Sequence, residues 1–218
     1  MSEKILLELL EMGPGGVLSM QDREFSSETF SDFRLPGPSG SAVLERVRFH
    51  NCRVYPVAVQ IDGGATLRQV LFEDFSCGDA MYVSSDVLLD RVVIRGRAKP
   101  KMICVSAPAR AYELPDCRDV EWCLDIREYD GEVSIAGPPG DKILRAPGRQ
   151  VLFDNAKLVD VDWETLGIHA LSYWKILARK SRGSGAAAAV YSTPLASGRN
   201  YERSMRELEI LRSEGILS

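Results

Sequence analysis

RQVLF stands at Arg68–Phe72 and again at Arg149–Phe153, 81 positions apart (149 − 68 = 81). Each copy runs into a polar pair, Glu73-Asp74 in one and Asp154-Asn155 in the other. The alternation puts Val and Phe on one side of an extended chain and Leu on the other, so each copy reads as a strand with one buried face. A chain that writes the same strand twice calls for a search for weaker copies.

The mark "Val, any residue, large apolar" occurs at Val47/Phe49, Val70/Phe72, Val92/Ile94, Val120/Trp122 and Val151/Phe153, with Arg23/Phe25 as a degenerate first copy. A second alternating mark trails by about ten residues. It reads Phe33/Leu35, Val59/Ile61, Met81/Val83, Ile103/Val105 and Val133/Ile135. Turn residues lie between the marks: Gly63-Gly64, Gly78, Gly96, Pro100, Pro108, Pro115, Gly131 and Gly137-Pro138-Pro139-Gly140. Two or more short strands per repeating unit is a solenoid pattern, and the units are too short for pairs of helices.

The motifs VLERVRFHNC, ATLRQVLFEDF and LLDRVVIRG resemble the right-handed parallel β-helix class. The likeness covers residues 17–161 and implies a mainly β fold of about six coils. At about 4.8 Å per coil the rod would be roughly 29 Å long. It needs caps, because open coils leave strand edges unpaired. Residues 1–16 are expected to supply an N-terminal capping helix, with Ser2 as N-cap, an apolar face of Ile5, Leu6, Leu9 and Leu10, and a stop at Gly13. Residues 162–218 are expected to form two C-terminal helices that pack on the β-helix. The first is N-capped by Asp162 and carries Trp163, Leu166, Ala170, Trp174 and Leu177 at helical spacing. RGSGAAAAV reads as a loop, and Asn200 starts the second, with Tyr201, Met205, Leu208 and Leu211 on one face and an end at Gly215.

Stacking also predicts which side chains point outward. One column holds His50, Glu73, Arg95, Cys123 and Asp154; its neighbour holds Arg48, Leu71, Val93, Glu121 and Leu152. The candidate binding residues are therefore Arg48, His50, Leu71, Glu73, Val93, Arg95, Leu152 and Asp154. Charged pairs on such a face add little stability, but the apolar members need cover, from the chain's own C-terminal helices or from a partner.

Chemistry is sparse. Asp62, Glu73, Asp74, Asp79, Asp86 and Asp90 sit mostly at turns, and no outward column stacks three acids. His50 and His169 have no ligand partner at metal spacing. Cys52, Cys77 and Cys104 read as small apolar fillers, and Cys117 and Cys123 are six apart. No phosphate loop or GxSxG elbow is present, so neither cofactor nor metal is expected. Net charge is −4, which gives no electrostatic case for nucleic acid or anionic membrane. The start lacks signal-peptide features, and the odd cysteine count points to reduced thiols in a cytoplasmic protein. The expected function is non-catalytic protein binding. The favoured class is a bacterial immunity or inhibitor protein that neutralises a toxin. A carbohydrate-active β-helix enzyme and a structural or homodimerisation module are the alternatives.

Overall fold

The protein is described by a computed structural model that covers residues 3–35, 40–56, 58–78, 80–96, 102–106, 117 and 119–218. Asp79, Pro100, Pro108 and Pro115 lie outside the described residues. The chain is mainly β. It winds into a parallel β-solenoid of about five turns, fewer than the six expected, and carries two α-helices.

Each turn visits the same faces in order. A first sheet stacks Leu18–Gln21, Ala42–Glu45, Ala65–Arg68 and Leu88–Asp90. A second stacks Glu24–Ser26, Arg48–His50, Leu71–Glu73, Val92–Arg95, Leu124–Asp125 and Ile143–Leu144. A third begins at Arg34–Leu35 and runs through Val59–Ile61, Ala80–Ser84, Met102–Ser106 and Glu132–Ala136. The trailing mark of the sequence is this third sheet, in register: Val59, Met81, Ile103 and Val133 are successive partners.

The two copies of RQVLF adopt different conformations. In the first, Arg68 ends a strand of the first sheet, Gln69 turns the corner at φ 55°, and Leu71 begins a strand of the second sheet. The second copy lies almost wholly in one straight strand, Gln150–Asp154, at the far end of the third sheet. Val70, Phe72, Val151 and Phe153 are all buried, as the alternation requires. The second copy is not a rung of the second sheet, however, and Leu152 and Asp154 do not lie above Val93 and Arg95. Ile143–Leu144 takes the place after Leu124–Asp125 instead. Val-Leu-Phe alternation suits any half-buried strand, whichever sheet receives it.

Corners of the coil are built from non-glycine residues with left-handed backbone. Asp22, Arg46, Gln69 and Arg91 turn from the first sheet to the second, with φ between 52° and 56°. Ser27, Asn51 and Asp74 turn out of the second sheet, and Gly96 takes the fourth position. Such backbone costs about 1–2 kcal/mol per residue. The cost is offset because each corner N–H reaches a carbonyl of the next turn, as Gln69 does to Asp90 at 2.7 Å and Asn51 to Glu73 at 2.9 Å. The equivalent glutamine of the second copy is buried. Gln150 accepts from the Ala146 N–H (2.8 Å) and donates to the carbonyls of Ile126 (3.2 Å) and Tyr129 (2.8 Å). Gln69→Gly should therefore leave stability within about 1 kcal/mol of wild type, relief of strain offsetting the added chain freedom. Gln150→Ala should cost about 2–4 kcal/mol, since it orphans buried backbone groups. Urea titration of the two variants measures the contrast.

The N-terminal capping helix is not formed. Residues Lys4–Ile5 pair with Thr29–Asp32, Leu6–Leu9 make one 3-10 turn, and Glu11–Met12 pairs antiparallel with Leu18–Gln21. A helix this short is marginal by itself, while the first coil offers unpaired edges that strands satisfy directly. Leu6 and Leu10 still bury themselves at that end.

The other end is also closed by strands. Ala188–Ser192, from the segment expected as a loop, inserts antiparallel between Glu132–Ala136 and Gln150–Asp154. The tail then hydrogen-bonds to Leu152 through Ser218. The expected first helix starts ten residues late. Asp162 caps only a turn, accepting from Glu164 and Thr165. Gly167, at φ 69°, closes that turn in a conformation that would strain other residues. Helix α1 (Tyr173–Gly183) is N-capped by Ser172, and α2 spans Tyr201–Ser213. The two helices bury Trp174 and Leu208 in a cluster with Phe153 and Tyr191, separate from the solenoid core.

Candidate functional site

The outward face of the second sheet carries most of the expected site residues. Pairing sets Arg48, Leu71, Val93 and Asp125 in one column. It sets Ser26, His50, Glu73 and Arg95 in the next. Strands alternate their side chains, so both columns face away from the core while Phe49, Phe72 and Ile94 face in.

The second column is an ionic ladder. His50 Nδ1 lies 3.1 Å from Glu73 Oε2, and an Arg95 guanidinium nitrogen lies 3.0 Å from Glu73 Oε1. A second nitrogen of Arg95 is 3.7 Å from Glu128. One carboxylate thus bridges two turns of the coil. The participants are a third or more exposed, apart from the slightly more sheltered Glu73, so screening keeps the stability gain small. Glu73→Ala should cost under about 1 kcal/mol in a denaturation experiment, even though it removes two ion-pair contacts.

The next turn differs from expectation. Cys123 is buried rather than outward. Val92 pairs with Leu124 and Val93 with Asp125, so Leu124 and Ile126 are the inward residues and Asp125 and Arg127 the outward ones. Glu121 also lies off the columns, in the connection before that strand. The longer connection between Arg95 and Leu124 shifts the register, and Val120/Trp122 marks no strand. The signal was present: Leu124-Asp125-Ile126-Arg127 matches Val92-Val93-Ile94-Arg95 residue by residue in its alternation.

Asp125 and Arg127 form a two-pronged pair at 2.7 and 3.0 Å. Burial pushes the Asp125 carboxyl up, but the hydrogen bonds and charge of Arg127, helped by Arg95, outweigh it and leave the group below the ordinary carboxylate range. The pair therefore contributes stability above that range and loses it as pH falls through the lowered value. Around it Val93, Arg95, Asp125, Arg127 and Glu128 line a shallow cleft of about 300 Å³.

Leu71 and Val93 are half-buried in the middle of this charged face. Cover by the C-terminal helices was the expectation. The helices instead bury their large apolar residues against Phe153 and Tyr191, in a cluster that includes neither Leu71 nor Val93. Leu152 packs beside the solenoid core from the end of the third sheet, and Asp154 accepts from the Ala156 N–H in a turn. Those two residues are not brought to the face.

Among the described residues no three His, Cys, Asp or Glu side chains are grouped to hold a metal ion. No helix among them is long and apolar enough to cross a membrane. No protein-family model, curated protein or solved structure matches the chain.

Proposed function

We propose that this is a non-catalytic binding protein whose second sheet recognises another protein. The observation that carries the reading is the apolar step Leu71–Val93, set between fixed ion pairs and left uncovered by the chain's own helices. An apolar centre with a charged rim suits a protein partner, and a stacked sheet offers that surface with little ordering cost on binding. Arg48, His50, Leu71, Glu73, Val93 and Arg95 form the contact set, with Asp125 and Arg127 added. The net charge of −4 favours a basic partner. A bacterial toxin with a cationic cleft, neutralised in the cytoplasm, is the partner class that fits by analogy. The coil is taken to wind right-handed, as twisted parallel strands prefer.

The Asp125–Arg127 pairing supports binding over glycoside hydrolysis, which requires one carboxyl of a pair to be held protonated. The test compares wild type with Leu71→Asp/Val93→Asp in cross-linking capture from candidate host lysates, and in light scattering for self-association. Capture of a specific protein by wild type, lost in the variant, supports the reading. Equal capture by both, or cleavage of a polyuronate abolished by Arg95→Ala, defeats it.

A further inference from the structure

Two cysteines that the repeat does not explain meet at the end of the first sheet. Cys117 and Cys123 both line one cavity there. Lys142 holds both. Its ammonium donates to the Cys117 and Val120 carbonyls, and its own carbonyl accepts from the Cys123 N–H at 2.8 Å.

Beside the pair is a cavity of about 70 Å³, bounded by Ser85 and the Gly137–Pro139 turn. It has room for a molecule larger than a single water. Gly137 permits this turn to close down, since a Cβ there would lie 2.4 Å from the Ser85 Cβ. Ser85 is 2% exposed and lines the cavity, and its hydroxyl has no hydrogen-bond partner. Leaving such a group unsatisfied is unfavourable, because its desolvation is not repaid. The cavity thus combines an idle donor with two lining thiols, which suits a small, hydrogen-bonding, electrophilic guest.

We infer that Cys117 and Cys123 form a dithiol site that hydrogen peroxide, seated in this cavity, oxidises to a disulfide. Cys117 is half-buried whereas Cys123 is buried, so Cys117 is the more accessible of the two. Burial, with the charge and hydrogen bond of Cys117, pushes the Cys123 thiol up to about 12, so Cys123 is the resolving partner rather than the attacking one. The Cys117 thiolate attacks one peroxide oxygen. The O–O bond breaks, and hydroxide leaves with a proton as water. The Cys123 sulfur then attacks the sulfenic sulfur, its proton joins the departing hydroxide, and a second water forms. Two thiols lose two electrons in all, and one peroxide becomes two waters. The other cysteines lack this arrangement. Cys52 and Cys77 are buried, and Cys52 donates to the Phe25 carbonyl. Cys104 lies half-buried in the third sheet, between Tyr82 and Ser134.

The test treats the intact protein with hydrogen peroxide, blocks remaining thiols after denaturation, and maps the digest without reductant. Five thiols are present, so three should remain, with a Cys117–Cys123 linked peptide that dithiothreitol removes. Cys117→Ala should abolish that peptide. Ser85→Ala should slow its formation about 2- to 10-fold, the worth of one neutral hydrogen bond. Circular dichroism confirms that the variants are folded, and the wild-type map stands alone if they are not. Five blocked thiols after treatment, or linkage through another cysteine, would overturn the inference. So would an unchanged rate in a folded Ser85→Ala.

Discussion

Phe72→Ala should lower the unfolding free energy by about 3–5 kcal/mol, measured by urea titration. Phe72 is fully buried in a ladder of rings. Phe25 stacks on Phe49 at 5.3 Å and 9°, and Phe49 on Phe72 at 5.2 Å and 8°. Phe33 and Phe75 meet this ladder from the side; the Phe72–Phe75 contact is 5.1 Å at 71°. Edge and stacked pairs each add about 0.5–1.5 kcal/mol beyond burial, so the alanine loses several ring contacts as well as its own area. The neighbouring turns cannot collapse into the cavity, because backbone pairing fixes them on both sides of Leu71–Glu73. Each turn of a solenoid leans on the next. The loss should therefore appear as one cooperative transition at lower denaturant, not as a separate early phase.

The contrast between Phe72 and Glu73 explains how much of the molecule was legible in its sequence. Inward residues repeat because each coil meets the same packing problem, so Val47/Phe49, Val70/Phe72 and Val92/Ile94 announced the fold without help. The polar ladder followed from the same register, since outward neighbours of aligned residues must also align. Legibility ended where the interval changed. Between Ile94 and Ile126 the chain takes 32 residues (126 − 94 = 32) instead of the 22 between Phe72 and Ile94 (94 − 72 = 22), and the marks around Val120 no longer meant strands. RQVLF at Arg149–Phe153 showed the deeper limit. Alternation specifies that one face is buried; it does not specify against what. Partner choice came from a strand read as a loop. In the AAAAVY stretch Val190 and Tyr191 are buried and the small alanines let α1 approach, a role that follows from tertiary context rather than local propensity.

Trp174→Ala should cost a further about 3–5 kcal/mol, and its effect should be distinguishable from that of Phe72→Ala. Trp174 has no exposed surface, lies 5.0 Å from Tyr173 and 6.2 Å from Phe153, and donates its indole N–H to the Ser204 carbonyl of α2. It is joined to a polar chain that sets where α1 begins. The Ser172 hydroxyl accepts from the Trp174 N–H at 3.2 Å and is within 2.6 Å of the Glu207 carboxyl, which also accepts from the His169 N–H. One serine therefore caps α1 and ties it to the buried Glu207 of α2, which is why the helix starts here and not at Asp162. Removing the indole leaves a cavity and breaks the side-chain link from α1 to the Ser204 carbonyl of α2. The helices and that strand form their own cluster. Hydrogen exchange should accordingly rise first in α1, α2 and residues 150–154, while Val59–Ile61 and Ala80–Ser84 stay protected. Uniform loss of protection along the rod would instead show that the end cluster and the solenoid core unfold as one unit.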